Sequence, residues 1–440
     1  MNSRIYCWLE EQGIFDTQDP QPLLRADFTT PLDIPTPPLS LVNNHKSNSM
    51  SGTPRKRGIE DTEAYDNDPT PTNARNAMRS GAPTGPSPGA SPSKRSAASN
   101  ATSSVSSIYS SQGINKLAVL RSLTIPVQHK ELQPSVFSDA KLNDLVTSIR
   151  KCKAGLEIVC ETDVIAARSR FPNDFDLQQH VGYHPSSRRA QLGMPLSLDI
   201  ADMISTEAKR CILIEDYEPG WNSSFHGLVL TTACYLSQHR GHVTCANITT
   251  ARILSQYLTP ISANEHIPGR MVDFALCLEP EQMEEFDGIS LDIPGQHSLN
   301  ATDHAPTSRR PIAVSIETKR HGVDLQKGEL QLDIWVSGHF NWLETLTGTD
   351  APETLPVLPL MFVQGSHWTV VFAQRQSTAR GKVTTVWKEV SLGSAADPSG
   401  VFKVISALLY LIDWVKTSYS PWFLRALQRY HHRCAVAGYA

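Results

Sequence analysis

The segment Val314-Ser315-Ile316-Glu317-Thr318-Lys319-Arg320 places a carboxylate and an ammonium group two residues apart in an otherwise apolar run. Such a run predicts a β-strand, in which alternate side chains point to the same face of the sheet. Glu317 and Lys319 are therefore expected to share one face. A buried charge is costly unless it is paired or binds a metal, so these two side chains require a partner on a neighbouring element.

A second apolar run, Met271-Val272-Asp273-Phe274-Ala275-Leu276, carries a carboxylate of its own. If the two runs form neighbouring strands, Asp273 joins Glu317 and Lys319. Two carboxylates suit Mg²⁺, and a lysine beside them can hold a metal-bound water or stabilise developing negative charge. Phosphodiester-cleaving enzymes use this combination. A buried salt bridge between Lys319 and one of the carboxylates fits the spacing equally well and is the commoner outcome.

The charge and cysteine content exclude several classes of protein. The 440 residues carry a formal net charge of −4, whereas nucleic-acid binders that are basic throughout have a pI above about 9. The eight cysteines include no CxxC pair and no Cys/His cluster with zinc-ligand spacing. They are expected to be reduced thiols. Since residues 1–12 also lack the apolar core of a signal peptide, we expect a nuclear or cytoplasmic protein that is not secreted.

Residues 1–113 differ in composition from the rest of the chain. Thirteen of the 30 prolines fall there, among many serine, threonine, asparagine and glycine residues. Such a segment buries too little apolar surface to offset its ordering entropy, which predicts a disordered arm. Two basic clusters, at 54–57 and 92–95, fit nuclear-import signals and solvated charge runs about equally well. A short apolar stretch, Ile5–Phe15, is a candidate segment for docking on a protein partner.

Residues 114–440 have a globular composition. We divide them into a helical N-terminal part (114–210), a core (211–430) and a C-terminal tail (431–440). Hydrophobic periodicity predicts helices at 140–152, 199–211, 225–236, 328–346 and 401–419, and strands at 272–278, 312–319, 359–364, 368–373 and 383–390. This order predicts an α/β domain with a mixed sheet.

Proline, glycine and polar residues set the predicted helix ends. Pro219-Gly220 predicts a break in the chain, after which Asn222 or Ser223 can cap the following helix. Pro421 is expected to end the last helix. That helix contains an apolar run, Val404–Val415, which is too short for a membrane span and includes Asp413, so it predicts a buried helix.

Seven short motifs then follow one another in a fixed order. In this order they resemble the PD-(D/E)XK nuclease superfamily and, more closely, the nuclease-like domain of that superfamily that many fungal proteins contain. The resemblance covers about 115 to 430. It rests on Glu218-Pro219-Gly220-Trp221-Asn222 with His226, Val272-Asp273, Gln296-His297-Ser298-Leu299-Asn300-Ala301-Thr302, Pro311 to Arg320, Gln331-Leu332-Asp333-Ile334-Trp335, Gln364-Gly365-Ser366-His367-Trp368 and Ser420-Pro421-Trp422-Phe423.

The resemblance implies a restriction-endonuclease-like αβββαβ core flanked by helices. Its signature triad corresponds to Asp273, Glu317 and Lys319, although Val272 stands where the family name expects proline. A glutamine on the next helix, here Gln331, points at the same site in a subset of members. An acidic residue on the preceding helix can add a metal ligand. Glu218 is the candidate here, and Glu215 and Asp216 are its rivals.

The resulting hypothesis is a nuclease that uses Mg²⁺ or Mn²⁺ to hydrolyse phosphodiester bonds in DNA or RNA. Asp273, Glu317 and Glu218 are the expected metal ligands, Lys319 assists the water, and Gln331 orients it. The alternative is a catalytically inactive module with the same fold that binds nucleic acid or a protein partner. His226 is expected to be hydrogen-bonded in the core more often than to belong to the site.

Overall fold

The strand that carries Glu317 and Lys319 lies inside a mixed sheet. The computed structural model describes residues 116–133, 136–262, 265–266, 271–322, 325–348 and 354–438. The predicted disordered arm, 1–113, lies outside the described residues. The strands are β1 (Val127–Glu131), β2 (Val159–Cys160), β3 (Gly182–Tyr183), β4 (Val243–Asn247), β5 (Pro260–Ser262), β6 (Glu265–His266), β7 (Phe274–Leu278), β8 (Ile312–Lys319), β9 (Leu358–Gln364), β10 (His367–Thr378) and β11 (Gly381–Ser394).

Seven of these strands form the main sheet of the described residues, in the order β1-β11-β10-β9-β8-β7-β4. Strand β8 runs parallel to β9 and antiparallel to β7, and β1 runs parallel to β11. The remaining neighbours are antiparallel. The mixed α/β sheet predicted from the sequence is therefore confirmed.

Helices cover the sheet and follow the predicted pattern closely. The helices are α1 (Lys116–Ser122), α2 (Ala140–Lys153), α3 (Val164–Arg170), α4 (Arg188–Gln191), α5 (Leu198–Leu213), α6 (Glu218–Trp221), α7 (Gly227–Leu236), α8 (Leu325–Thr347), α9 (Pro398–Trp414) and α10 (Ser420–Val436). The predicted helices 140–152, 199–211 and 328–346 correspond to α2, α5 and α8. Helix α10 continues into the segment 431–440 that the sequence had suggested as a tail.

The order α7-β4-β7-β8-α8-β9 is the expected αβββαβ core. Its first strand, β4, was missing from the elements predicted by periodicity. Among the strands that the structure describes, β4 lies at an edge of the main sheet beside β7. It is short, with Thr244, Cys245 and Asn247 among its five residues. Edge strands are often short and polar because one side has no partner strand. The same reason explains why β1, at the opposite edge, was not predicted.

Strand β8 is buried along its whole length. Helix α8 packs against it, and the indole Nε1 of Trp335 on this helix donates a 2.9 Å hydrogen bond to Ser315 Oγ. The bond identifies the face of the sheet that α8 covers. Since side chains alternate along a strand, Glu317 and Lys319 lie on the same side as Ser315.

The prediction that Pro421 ends the last helix was wrong. A π-helical turn, Val415–Tyr419, joins α9 to α10, and Pro421 lies in the first turn of α10. A proline is tolerated in a first turn because its missing N–H would have no partner within the helix. The apolar segment is buried, as predicted. Within the described residues, Pro398–Val436 is long and apolar enough to cross a membrane, but 94% of its apolar window is buried in the protein.

The π-helical turn also ties these helices to β8. The hydroxyl of Tyr419 donates a 2.9 Å hydrogen bond to the backbone oxygen of Ile312, the first residue of that strand. The Tyr419 side chain is only 1% exposed. This buried bond therefore helps to hold the strand that carries the charged residues.

We predict that Tyr419→Phe lowers the free energy of unfolding by about 1–3 kcal/mol, because it leaves the buried oxygen of Ile312 without this donor. Chemical denaturation followed by tryptophan fluorescence measures the change. Tyr217→Phe is the matched control, since the Tyr217 side chain is exposed, and it should change stability by less than about 0.5 kcal/mol. Equal stability of the wild type and Tyr419→Phe would contradict the assigned role of this bond.

Candidate active site

A cleft of about 350 Å³ opens at the end of β8. All five predicted site residues line it: Glu218, Asp273, Glu317, Lys319 and Gln331. Pro219, Asn222, Ser223, Asn247, Thr249 and Met271 complete its walls. The structure thus brings the predicted residues together around one opening. Their roles in catalysis and metal binding stay predictions.

Four elements bring these side chains to the cleft, and one of them is α6, which begins with Glu218. Glu317 and Lys319 end β8, and Gln331 comes from α8 on the face of the sheet that this helix covers. Asp273 directly precedes β7, and its backbone N–H still donates to the Ile316 oxygen at 3.1 Å. The predicted strand from Val272 therefore begins at Phe274. Because Phe274 pairs with Ile316 in an antiparallel ladder, Asp273 lies opposite Glu317.

The ammonium group of Lys319 occupies the centre of this charged cluster. Its Nζ lies 2.6 Å from Glu317 Oε1 and 3.2 Å from Glu218 Oε1. It also donates to the backbone oxygen of Thr318 at 2.8 Å. The negative charges of the carboxylates outweigh the cost of burial and raise the pKa of Lys319. Lys319 is therefore a cation at neutral pH.

The contacts of the Glu317 carboxylate offset only part of the free-energy cost of burying its charge. The side chain is buried, and its Oε2 accepts no hydrogen bond from the described residues. Burial, reinforced by the negative charges of Asp273 and Glu218, outweighs the attraction of Lys319 and raises the pKa of Glu317 to about 8. An unpaired buried oxygen of this kind costs free energy unless a proton or a cation occupies it.

Glu218 is the third carboxylate of the cleft. It is the first residue of α6, as the resemblance implied. Burial raises its pKa, and the charge of Asp273 raises it further, against the opposing effect of Lys319 and Lys327. Its rivals Glu215 and Asp216 do not line the cleft in the structure. Instead, Asp216 accepts a hydrogen bond from the Tyr217 backbone N–H at 2.9 Å.

The charges of the cleft fit a divalent cation. When ionised, three carboxylates and one ammonium group leave two negative charges, which one Mg²⁺ or Mn²⁺ would neutralise. Within the described part of the chain, no group of three or more His, Cys, Asp or Glu side chains is arranged so that it could hold a metal ion by itself. Mg²⁺ does not need one, because it keeps several waters and binds through one or two carboxylates. The unpaired Oε2 of Glu317 is available as a ligand for the cation.

A network of buried hydrogen bonds holds Asp273. Its Oδ2 accepts bonds of 2.9 Å from both the backbone N–H and the hydroxyl group of Thr318. Its Oδ1 accepts a 3.2 Å bond from Asn222 Nδ2. Thr318 lies between Glu317 and Lys319 in sequence but points to the opposite face of the strand, where its hydroxyl oxygen lies 2.6 Å from Asn222 Oδ1. The carboxylate of Asp273 is thereby held in one orientation at the cleft.

Asn222 was predicted as a possible helix cap, and this prediction was wrong. The helix begins earlier, at Glu218, because Pro219 fits its first turn. Asn222 therefore lies within a continuous helical segment and starts a π-helical turn, Asn222–His226. π-Helical turns within α-helices occur frequently at functional sites. This one directs the Asn222 side chain towards Asp273.

His226 supports Asn222 from the core. Its Nδ1 lies 2.9 Å from Asn222 Oδ1 and its Nε2 lies 2.8 Å from the backbone oxygen of Gly365. The ring stacks on Trp221, with 5.6 Å between the ring centroids. Burial lowers the pKa of His226 to about 4, so the ring is neutral and donates through one nitrogen only. His226 is thus a hydrogen-bonded core histidine, as expected, and it adjoins the site through Asn222.

Gln331 makes the weakest contact of the five predicted residues. Its Nε2 lies 3.5 Å from the backbone oxygen of Met271, which is at the upper limit for a hydrogen bond. A water molecule or a substrate group can replace such a contact at little cost. The position therefore suits the predicted role of orienting a water.

Comparison with known proteins agrees with the geometry of the site. A family model described as the PD-(D/E)XK nuclease superfamily matches residues 165–420. The match covers more than half of the chain and includes the whole cleft. No curated protein and no solved structure matched the chain.

We predict that Thr318→Val lowers the free energy of unfolding by about 1–3 kcal/mol, because Asp273 and Asn222 lose a buried hydroxyl partner while the side-chain volume is kept. Urea denaturation measures the loss. The control is Thr345→Val, which removes an exposed hydroxyl from α8 and should be nearly neutral. If both variants had the same stability, the network around Asp273 would not be a source of stability.

We also predict a pH-dependent effect of Glu317→Gln on metal-free protein. Folding raises the pKa of this carboxyl from 4.5 to about 8, so the folded protein keeps a proton that the unfolded chain releases. The wild type therefore loses stability as the pH rises through this range. Glutamine cannot ionise, so the variant should become more stable than the wild type, by about 2–4 kcal/mol at pH 8.5 and by much less at pH 5.

Thermal unfolding in the presence of a chelator measures this difference. Glu284→Gln is the matched control, because Glu284 is exposed, and its effect should not depend on pH. A stability difference for Glu317→Gln that stays constant between pH 5 and pH 8.5 would show that this carboxylate is well compensated in the folded protein.

Proposed function

The chain belongs to the PD-(D/E)XK nuclease superfamily, and on this basis we propose that it is a metal-dependent nuclease that hydrolyses phosphodiester bonds in nucleic acid. The observation that carries the proposal is an open cleft in which two carboxylates, Glu218 and Glu317, contact Lys319 and a third carboxylate, Asp273, lines the same walls. The closer resemblance to the nuclease-like domain of fungal proteins is part of the same proposal.

Asp273 and Glu317 are the proposed ligands of Mg²⁺ or Mn²⁺, and Glu218 is a third. When bound, the cation supplies a Lewis acid for a phosphate oxygen and lowers the pKa of a bound water. The negative charge of the cleft and the unpaired oxygen of Glu317 support this assignment. The hydrogen bonds from Thr318 and Asn222 keep the carboxylate of Asp273 in place for the metal.

Lys319 acts as a fixed positive charge in this proposal. Because the carboxylates raise its pKa, it is a poor base and does not take a proton from water at neutral pH. Its ammonium group can instead stabilise the negative charge that develops on the phosphate oxygens during attack. The 3.2 Å contact with Glu218 is the longer of its two carboxylate contacts, so this is the contact that a substrate oxygen would replace.

Gln331 is proposed to orient the attacking water. Its side chain comes from α8 and lines the same cleft as the carboxylate of Glu218 on α6. The long contact with the Met271 oxygen leaves its orientation adjustable. A small adjustment of this kind can align a water with the scissile phosphate.

A catalytically inactive module that binds nucleic acid or a protein partner is the second candidate function. The close contacts of Lys319 favour it, because Glu317, Glu218 and the Thr318 backbone oxygen all lie within hydrogen-bond distance of this ammonium group. If these contacts persisted with substrate bound, Lys319 would have a purely structural role.

The cellular setting is also a proposal. Cysteines that remain reduced and short basic clusters at 54–57 and 92–95 are typical of proteins in the nucleus or the cytoplasm. The proposed partners are DNA or RNA at the cleft and a protein that binds the N-terminal arm.

We predict that the full chain cleaves DNA or RNA in the presence of Mg²⁺ and that Glu317→Ala and Lys319→Ala each reduce the rate by about 100-fold or more. Time courses with labelled DNA and RNA measure the rate, and removal of Mg²⁺ by a chelator should abolish it. The controls Glu284→Ala and Lys382→Ala change surface charges outside the cleft and should retain the wild-type rate. No cleavage, or equal cleavage by all four variants, would reject the nuclease and favour the binding module.

A further inference from the structure

An exposed aromatic ring directly precedes the cleft residue Glu218 in the chain, and we call the chain neighbours of Glu218 and Lys319, which are Tyr217 and Arg320, the rim of the cleft. The Tyr217 side chain is 73% exposed, and the guanidinium group of Arg320 lies over its ring, 5.7 Å from the centroid. We propose that Tyr217 and Arg320 form a platform that stacks an unpaired nucleobase next to the scissile phosphate. The preferred substrate would then be single-stranded nucleic acid, or a junction with unpaired nucleotides. This inference rests on the proposed function and specifies its substrate class.

The position of the pair supports the proposal. Tyr217 directly precedes Glu218, and Arg320 directly follows Lys319, so each member of the platform is the chain neighbour of a cleft residue. Glu218 and Lys319 contact each other at 3.2 Å. The same two segments therefore meet twice, once inside the cleft through Glu218 and Lys319 and once at its rim through Tyr217 and Arg320. A nucleotide stacked on the rim would place its phosphate close to the cleft.

The ring of Tyr217 stands on a fixed backbone. Its N–H donates to Asp216 Oδ1 at 2.9 Å, and its carbonyl oxygen accepts a 3.0 Å bond from the Trp221 N–H in the first turn of the helix. The N–H of Asp216 in turn donates to the Cys211 oxygen at 3.0 Å. Tyrosine has only two side-chain torsions, so binding through it has a low entropic cost. An exposed ring on a fixed backbone is a suitable stacking surface.

The chemistry of the pair favours a nucleobase over other ligands. Every base has a π-face, and stacking on an aromatic side chain contributes about 1–3 kcal/mol per base in proteins that bind single strands. An arginine adds cation–π stacking and attracts the phosphate backbone. In a duplex, the faces of the bases are already stacked on one another and are not available. The platform therefore discriminates between unpaired and paired substrates.

A neighbouring apolar stretch provides the alternative explanation. Ile212, Leu213 and Ile214 are 42%, 83% and 52% exposed, and together with Tyr217 they would suit a protein partner. Arg320, however, belongs to the segment that carries Lys319, and its guanidinium group lies over the ring of Tyr217. The nucleobase proposal therefore predicts that Tyr217 and Leu213 have separable effects on binding.

The test measures binding of fluorescent oligonucleotides to the full chain by anisotropy, with Ca²⁺ in place of Mg²⁺. The probes are a single-stranded DNA, a single-stranded RNA and the duplex of the same DNA sequence. Tyr217→Ala should weaken binding of at least one single strand by roughly 5- to 150-fold and leave binding of the duplex unchanged. Tyr217→Phe keeps the ring and should bind as the wild type does. Leu213→Ser should also bind as the wild type does.

Four outcomes would overturn the platform. The wild type could fail to bind every single strand, Tyr217→Ala could bind with wild-type affinity, Tyr217→Ala could lose affinity equally for single strand and duplex, or Leu213→Ser could show the same loss as Tyr217→Ala. Cleavage with Mg²⁺ is measured separately on the same probes. Binding that depends on Tyr217 without cleavage would support the platform and reject the nuclease. Cleavage that is unaffected by Tyr217→Ala, with unchanged affinity, would reject the platform alone.

Discussion

The burial of the Glu317 carboxylate at the end of the central strand is the constraint on which the site depends. A charge in this position is costly, and the surrounding elements compensate for it only partly. Lys319 supplies one contact at 2.6 Å, whereas Asp273 and Glu218 add further negative charge. When these carboxylates are ionised, they leave an excess of negative charge at this end of the strand, which a divalent cation would neutralise.

Side chains from both faces of the sheet form the site. The α8 face carries Glu317, Lys319 and Gln331. The opposite face holds Thr318, whose hydroxyl and backbone N–H fix Asp273, while Asn222 reaches the same carboxylate from the π-helical turn. The cleft lies where these two layers meet at the end of β8. A single strand thus contributes to the site through three consecutive residues, 317–319, all of which are buried.

The sequence predicted those parts of the site that depend on local pattern. Alternation along Val314–Lys319 placed Glu317 and Lys319 on one face, and the order of motifs placed Gln331 and Glu218 on the flanking helices. The pattern did not predict β4 or β1, because edge strands tolerate polar residues. It also did not predict the role of Asn222, or the partners of the expected core histidine His226. Their contacts join residues such as His226 and Gly365, which are distant in sequence and carry no local signal of the contact.

The most direct test of a metal-binding cleft is a titration of the full chain with Mn²⁺, followed by electron paramagnetic resonance of the free ion. We predict that the wild type binds Mn²⁺ at this cleft and that the double variant Asp273→Asn with Glu317→Gln, although folded, loses this binding. Mn²⁺ binding that is absent in the wild type, or unchanged in the double variant, would contradict the account.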